Sequence, residues 1–267
     1  MPAHKAYPQT LDRDDVLFFL HIPKTAGTSL TQSLVERWGE DVTITPERLN
    51  TIRQVPASVL QRVKFVYGHF NRTICRNRLI VPPNFTITFF RDPVSHYLSI
   101  YNHIRRDPDF GFTTRATKGD LALSHKIAEI ANTGDIRAFL DAPECSVFDN
   151  FQTKYLVDGI RFKPDLQESE ALVDEALACL ELLGSFGITD RYNESLQLIN
   201  RALNLSEALT PRKVNEAPNS EQLEIAEDII EEIRYRTRYD LILYNSALAL
   251  FNQRLQQLEA SSEAVQH

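Results

Sequence analysis

The sequence predicts an α/β fold in which helices cover both faces of a central, mostly parallel sheet, forming a three-layer sandwich. A continuous apolar run at residues 16–20 and short segments rich in apolar residues at 63–67, 85–90 and 185–188 are typical of strands buried on both faces. Apolar residues at helical spacing follow several of these runs, as expected of strand–loop–helix units. These two patterns together favour a parallel sheet flanked by helices.

The helix boundaries have local signals. After the first run, Leu30 and Leu34 recur at helical spacing, with Thr28 available as the N-cap. The run at 85–90 is aromatic and β-branched, and Asp92-Pro93 after it is a favoured helix start. We therefore expect a helix over residues 94–105. Further helices are predicted on both sides of the run at 185–188.

The organisation of the 267 residues favours one domain at residues 16–258, preceded by an extension (1–15) and followed by a loose tail (259–267). Residues 107–164 contain helical fragments but no strong strand pattern, which predicts a helical insertion. Residues 220–258 keep helical spacing as one long C-terminal helix or two consecutive helices. We expect this segment to pack either on the core or on a partner chain. The second alternative would make the protein a homo-oligomer.

Composition excludes several classes of protein. The net charge of −7 argues against nonspecific nucleic-acid binding, which needs a surplus of Lys and Arg. Cys75, Cys145 and Cys179 are odd in number and widely spaced, which favours a reducing compartment over a disulfide framework or a zinc site. No segment resembles a signal peptide or a membrane span. We expect a cytoplasmic protein with no integral membrane contact and no nucleic-acid partner.

The loop after the first strand combines features of an anion site. A loop between a buried strand and a helix collects backbone N–H groups and the positive end of the helix dipole. Lys24 adds a cation, Gly27 permits close backbone approach, and Thr25, Thr28 and Ser29 contribute hydroxyls. The alternative is a solvated loop lysine beside a simple helix cap. The architecture is P-loop-like, but the GxxxxGK[ST] pattern of nucleoside triphosphate sites is absent, which weakens a kinase or ATPase assignment.

A second anion site is predicted at the end of the strand at 85–90. Arg91 ends this strand and Ser99 lies about two helical turns further, so both face the carboxyl edge of the sheet. Arg-Asp-Pro is also common as a capped turn with a surface arginine, and that alternative stays open. Two anion sites on one sheet edge indicate a bisphosphate ligand.

The histidine after the second strand is the candidate general base. His69 follows Gly68 at the strand end, so it is expected at the same sheet edge as the two anion sites. A lone histidine is more often structural, but this position favours a catalytic role. No cluster of carboxylates with metal-ligand spacing lies near these motifs, so no metal is expected.

The segment HIPKTAGTS at residues 21–29 resembles the 5′-phosphosulfate loop of the carbohydrate sulfotransferase family that includes heparan sulfate 2-O-sulfotransferases. Arg-Asp-Pro with Ser99 resembles that family's 3′-phosphate motif, and the family places its base in a similar Gly-His step. The resemblance implies the donor 3′-phosphoadenosine 5′-phosphosulfate (PAPS), the product 3′-phosphoadenosine 5′-phosphate (PAP), and catalysis by His69 and Lys24. It implies donor contacts from Pro23, Lys24, Thr25, Ala26, Gly27, Thr28, Ser29, Arg91 and Ser99.

Two further segments carry softer resemblances. Arg212 and Lys213 resemble part of a loop that closes over the nucleotide, with an exposed basic loop as the alternative. Gln152 and Lys154 lie in a segment that approaches the active site in relatives, so they are candidate substrate contacts. Their alternative is the polar face of an amphipathic helix.

The acceptor is expected to be a molecule with a hydroxyl group, such as a saccharide or a small metabolite. Arg72 and Arg76 form a basic cluster just after His69 that suits an anionic acceptor, although a solvated surface explains it equally well. Two other functions remain open. An ATP-dependent phosphotransferase would need magnesium and no 3′-phosphate. A noncatalytic nucleotide-binding or adaptor protein would keep the fold without the reaction.

Overall fold

A computed structural model describes residues 10–69, 79, 83–107, 118–161, 167–205, 207–210 and 225–265. Its strands form one sheet in the order β2-β3-β1-β4-β5, and each pair of neighbours is parallel. In chain order the strands are β1 (Leu17–Leu20), β2 (Thr43–Ile44), β3 (Phe65–Gly68), β4 (Phe85–Phe90) and β5 (Ser185–Ile188).

Helices occupy most of the remaining described chain, interrupted by short 3-10 turns. Before β4 they are α1 (Gly27–Trp38), α2 (Pro46–Asn50) and α3 (Ala57–Leu60). Between β4 and β5 they are α4 (Pro93–Arg106), α5 (Lys118–Thr133), α6 (Ile136–Asp141), α7 (Phe151–Arg161) and α8 (Glu170–Glu181). After β5 they are α9 (Tyr192–Leu203), α10 (Glu227–Arg236) and α11 (Arg238–Val265).

The side chains of the sheet alternate between two cores. Leu17 and Phe19 of β1 point to one face, where α1 and α9 pack through residues such as Leu30 and Ile199. Phe18 points to the other face, which is covered by α7, α8 and α11. Burial of apolar side chains on both faces explains why the strands read as continuous apolar runs. The predicted α/β sandwich with a central parallel sheet is therefore confirmed.

A third apolar cluster lies among helices rather than on the sheet. It joins α4, α5, α6 and α10 through side chains such as Tyr97, Phe139 and Ile233. In residues 118–161 the structure has helices and no strand, in agreement with the predicted helical insertion. The boundaries of the insertion and of the domain remain predictions.

Several boundaries differ from those predicted. Thr28 is not the N-cap of α1, because the helix begins at Gly27 and Ala26 occupies the cap position. The segment after residue 258 is not a loose tail as far as Val265, since α11 continues through it. Its residues 259–265 contain neither glycine nor proline to stop a helix. The two-residue strand β2 was not predicted, because it is too short to produce an apolar run.

The C-terminal segment forms two consecutive helices, which was one of the two predicted alternatives. They are separated at Thr237, which ends α10 and donates a hydrogen bond from its hydroxyl to the carbonyl of Ile233 (2.8 Å). None of the helices in the described parts of the chain is long and apolar enough to cross a membrane.

Candidate active site

The sheet topology brings three sequence motifs to one edge. His21 follows β1, His69 follows β3, and Arg91 follows β4. Because β1 lies between β3 and β4 and all three strands are parallel, their carboxyl ends are adjacent. The convergence that the sequence predicted is therefore present in the structure.

The loop from β1 to α1, residues 21–26, ends at a helix without a side-chain cap. Ala26 is in the left-handed conformation (φ 68°), makes no capping hydrogen bond, and no acidic residue lies in the first turn of α1. The first N–H groups of a helix lack intrahelical partners, and the helix dipole makes this end positive. The beginning of α1 is therefore suited to an anion.

Five of the six carbonyl groups of this loop accept hydrogen bonds from side chains. The acceptors are the oxygens of five consecutive residues, and the paired side chains are His69 to His21 (2.7 Å), Thr25 to Ile22 (2.8 Å), His96 to Pro23 (2.8 Å), Arg91 to Lys24 (3.1 Å) and Thr189 to Thr25 (3.1 Å). In a trans peptide the N–H points opposite to the carbonyl. The N–H groups of Lys24, Thr25 and Ala26, which follow three of these carbonyls, are therefore turned away from the bonded side chains. Pro23 has no N–H, and the N–H of Ile22 donates to the carbonyl of Leu20 (3.1 Å).

Lys24 lies at the centre of this loop and is half-buried. Like Ala26 it has a positive φ (66°), and left-handed residues alternating with others form concave backbone nests for anions. Burial lowers the pKa of Lys24, and the charges of Arg91 and Arg106 lower it further. An anion bound here would relieve this repulsion.

Arg91 joins the two predicted anion sites. Its Nη1 atom donates a hydrogen bond to the carbonyl oxygen of Lys24 at 3.1 Å, while its buried Nε atom has no partner within the described structure. Burial lowers the pKa of Arg91, and the carboxylates of Asp190 and Asp92 oppose this effect. Ser99 is half-buried on α4, whose N-terminus is capped by Asp92 as predicted.

Thr25 in the loop and Gly27 at the first position of α1 serve the internal structure of this segment. Thr25 is fully buried and its hydroxyl donates to Ile22, so its backbone N–H is the group left for an anion. Gly27 packs against the ring of His21, where an added Cβ would lie 2.1 Å from Cδ2. Thr28 is exposed, whereas Ser29 is 8% exposed.

The geometry of His69 fixes its tautomer. Its Nδ1 lies 2.7 Å from the carbonyl oxygen of His21, and a carbonyl only accepts, so Nδ1 carries the proton. In the neutral ring Nε2 is then free to accept a proton. Desolvation by neighbouring atoms lowers the pKa of His69, although the side chain is exposed on one side. Gly68 before it has a φ of 152°, which side chains rarely adopt.

His96, on α4, contacts the loop through the carbonyl of Pro23. The ring is 2% exposed, and Nε2 donates to the carbonyl of Pro23 at 2.8 Å. Burial lowers the pKa of His96 to about 4, so the ring is neutral near pH 7. The sequence does not predict this role, because His96 and Pro23 are 73 residues apart and no pattern relates them.

The structure gives Gln152 and Lys154 roles other than the predicted substrate contact. Gln152 is 1% exposed and its amide is hydrogen bonded to the backbone of Arg91. Lys154 forms an ion pair with Glu168 at 3.2 Å. Four other predicted residues lie outside the described residues, and they are Arg72, Arg76, Arg212 and Lys213. Among the described residues no group of His, Cys, Asp and Glu is arranged to hold a metal ion.

The fold and this edge define an α/β protein with a strand–loop–helix segment suited to an anion and a histidine at the neighbouring strand end. Residues 8–246 match the sequence model of the Sulfotransferase family, so the chain belongs to that family and is a sulfotransferase. The family assignment made from the loop motif is confirmed.

Three similar proteins are named as heparan-sulfate sulfotransferases. Heparan-sulfate 6-O-sulfotransferase 1 of Cricetulus griseus is 25% identical over 277 residues, which cover 91% of this chain and 69% of that protein. The Homo sapiens protein of the same name is 26% identical, with 91% and 67% covered. Heparan-sulfate 6-O-sulfotransferase 2 of Homo sapiens is 25% identical, with 91% and 46% covered. These relatives are named for 6-O rather than the 2-O transfer suggested by the sequence motif.

Proposed function

We propose that this sulfotransferase moves a sulfuryl group from PAPS to a hydroxyl group of a saccharide. The observation that carries the proposal is the 3.1 Å hydrogen bond between Arg91 and the carbonyl of Lys24, which joins two anion-binding groups at one sheet edge. A donor with phosphates on both the 3′ and the 5′ positions of its ribose needs two such groups close together. The relatives named for heparan sulfate support a saccharide as acceptor.

The donor would bind with its 5′-phosphosulfate at the beginning of α1. The N–H groups of the loop, Lys24 and the hydroxyls of Thr28 and Ser29 would surround this group. Arg91 and Ser99 would bind the 3′-phosphate, for which a guanidinium offers paired donors. This arrangement distinguishes PAPS from nucleotides that carry no 3′-phosphate.

The reaction needs a base, and His69 supports this role through its free Nε2. In the proposed step Nε2 takes the proton from the acceptor hydroxyl, and the acceptor oxygen forms a bond to sulfur. The bond between sulfur and the bridging oxygen of the 5′-phosphate breaks, and PAP leaves with the electron pair. Lys24 and the loop N–H groups stabilise the negative charge on PAP.

Nucleotide selectivity tests the donor. Melting temperature is measured with PAP, AMP and ATP, with and without magnesium. Without magnesium, we expect PAP to raise the melting temperature most, because among the three nucleotides only PAP has a 3′-phosphate for Arg91 and Ser99. A ligand at about 100 times its dissociation constant stabilises the folded protein by ~2.7 kcal/mol. Stabilisation by ATP with magnesium and no preference for PAP would instead indicate a phosphotransferase. Transfer of labelled sulfate from PAPS to heparan sulfate then tests the acceptor class.

Substitution of His69 tests the base. His69→Ala should lower the transfer rate by at least about 100-fold while leaving PAP affinity within about twofold, because general base catalysis contributes ~10²–10⁴. His125→Ala is the matched control, since His125 is exposed on α5. Near-normal transfer by His69→Ala would remove His69 as the base. No transfer by the wild-type protein, despite tight PAP binding, would favour a noncatalytic nucleotide-binding protein.

A further inference from the structure

The backbone of Arg91 is held by a single side chain. The N–H of Arg91 donates to Oε1 of Gln152 at 3.0 Å, and Nε2 of Gln152 donates to the carbonyl of Arg91 at 2.9 Å. Arg91 lies just beyond the last residue of β4 that pairs with β5, so its polar groups need partners outside the sheet. Gln152 supplies both of them from the first turn of α7.

The position of Gln152 is itself fixed by a buried carboxylate. Asp240 on α11 is 1% exposed and accepts hydrogen bonds from the N–H groups of Gln152 (3.1 Å) and Thr153 (2.7 Å). Its Oδ1 also accepts from the hydroxyl of Thr153 at 2.6 Å. A carboxylate at a helix N-terminus satisfies N–H groups that lack intrahelical partners and interacts favourably with the dipole. Asp240 therefore fixes the beginning of α7 to α11.

A second contact joins the same helices. Asn150, immediately before α7, is fully buried and has a positive φ of 48°. Its Oδ1 accepts from the N–H of Tyr239 (2.8 Å), and its own N–H donates to the carbonyl of Arg236 (3.2 Å). The junction of α10 and α11 is thus bonded to the residues on both sides of the α7 start.

We propose that Gln152 is a positioning residue that sets the direction of the Arg91 guanidinium toward the 3′-phosphate of the donor, and that Asp240 holds Gln152 in place. The proposal rests on the function proposed above. Arg91 is fixed at its backbone by Gln152 and at its guanidinium by Lys24. Loss of the backbone contact leaves the guanidinium attached to the loop but misdirected for a ligand that needs paired donors.

The test compares two ligands that differ by the 3′-phosphate. Affinities for PAP and AMP are measured by calorimetry on the full chain. Gln152→Met keeps the approximate volume and removes both hydrogen bonds. Asp240→Asn keeps the shape and a carbonyl oxygen but replaces one acceptor by an amide N–H. Asn84→Ala is the control, because Asn84 accepts from the N–H of Val16 at the opposite end of the sheet.

A positioning role predicts a change in selectivity rather than a general loss of binding. Gln152→Met should weaken PAP binding at least about tenfold and AMP binding less than about twofold. The reason is that the variant disturbs the charge-assisted hydrogen bond between Arg91 and the 3′-phosphate, which AMP lacks. Asp240→Asn should change the ratio of the two affinities in the same direction, by about threefold. Asn84→Ala should leave the ratio unchanged even where it lowers the melting temperature.

Different results would overturn the positioning role of Gln152 and the assignment of PAPS as donor. Equal loss of both affinities, or an unchanged ratio in whichever of the two variants folds, would overturn the positioning role of Gln152. A wild-type protein that binds PAP no more tightly than AMP would overturn the PAPS assignment itself, before any variant is made.

Discussion

Acidification should destabilise the fold at His96, which packs beneath the loop at residues 21–26, because the protonated ring carries a buried charge. The ring donates a hydrogen bond from Nε2 to Pro23 in a fully enclosed position, where burial lowers its pKa from 6.5 to about 4. Folding therefore favours the neutral ring. This contribution to stability is fully present above pH 6.5, the unfolded value, and is lost as the pH falls through the folded pKa near 4.

The expected magnitude follows from the size of the pKa shift. At ~1.4 kcal/mol per pKa unit, a shift from 6.5 to about 4 corresponds to roughly 3 kcal/mol of unfolding free energy. Most of this is lost between pH 7 and pH 4.5. That is a large part of the ~5–15 kcal/mol typical of a folded domain.

Urea denaturation of wild type and His96→Gln at pH 7 and pH 4.5 measures this effect. The amide of glutamine can replace the Nε2 donor without titrating, so the variant should lose about 2 to 3 kcal/mol less than wild type on acidification. His21, whose pKa burial lowers to about 3, is present in both proteins and its effect cancels. Equal losses in the two proteins would refute the assignment of this acid sensitivity to His96.

Two further predictions concern the same edge of the sheet. Gly27→Ala should lower the melting temperature by several degrees and reduce sulfuryl transfer, because the new Cβ would lie 2.1 Å from Cδ2 of His21. An unchanged melting curve would contradict this packing. The rate of labelled-sulfate transfer at saturating PAPS should stay constant down to below pH 6.5, because burial lowers the pKa of His69 and the base must be neutral. A rate that halves above pH 6.5 would argue against His69 as the titrating group.

The strands were predictable where burial on both faces produces an apolar run. The structure places β4 at Phe85–Phe90 and β5 at Ser185–Ile188, the same bounds that the sequence predicts. The C-terminal end of α11 was not predictable in this way. Phe251 and Leu255 are buried, but residues 259–261 are exposed, so packing gives no signal for the last turns. Helix propensity alone extends them to Val265.

The site was predictable to the extent that it depends on sheet topology. Strand ends in a parallel sheet meet at one edge, which was enough to bring Lys24, His69 and Arg91 together. The supporting contacts depend on packing between distant parts of the chain. His96 reaches Pro23 across 73 residues, and Gln152 reaches Arg91 across 61. A single sequence has no periodicity that relates such positions.

These supporting contacts explain how the donor loop keeps an unfavourable conformation. Lys24 and Ala26 both have positive φ without being glycine, at a cost of roughly 1–3 kcal/mol each. The loop carbonyls accept hydrogen bonds from side chains that lie just after β3, β4 and β5 and on α4. Each such hydrogen bond contributes about 1 kcal/mol to stability. The strain is thus offset before any ligand arrives. A loop held in this way presents its N–H groups without rearrangement, which is the condition for strong electrostatic stabilisation of charge on a leaving phosphate.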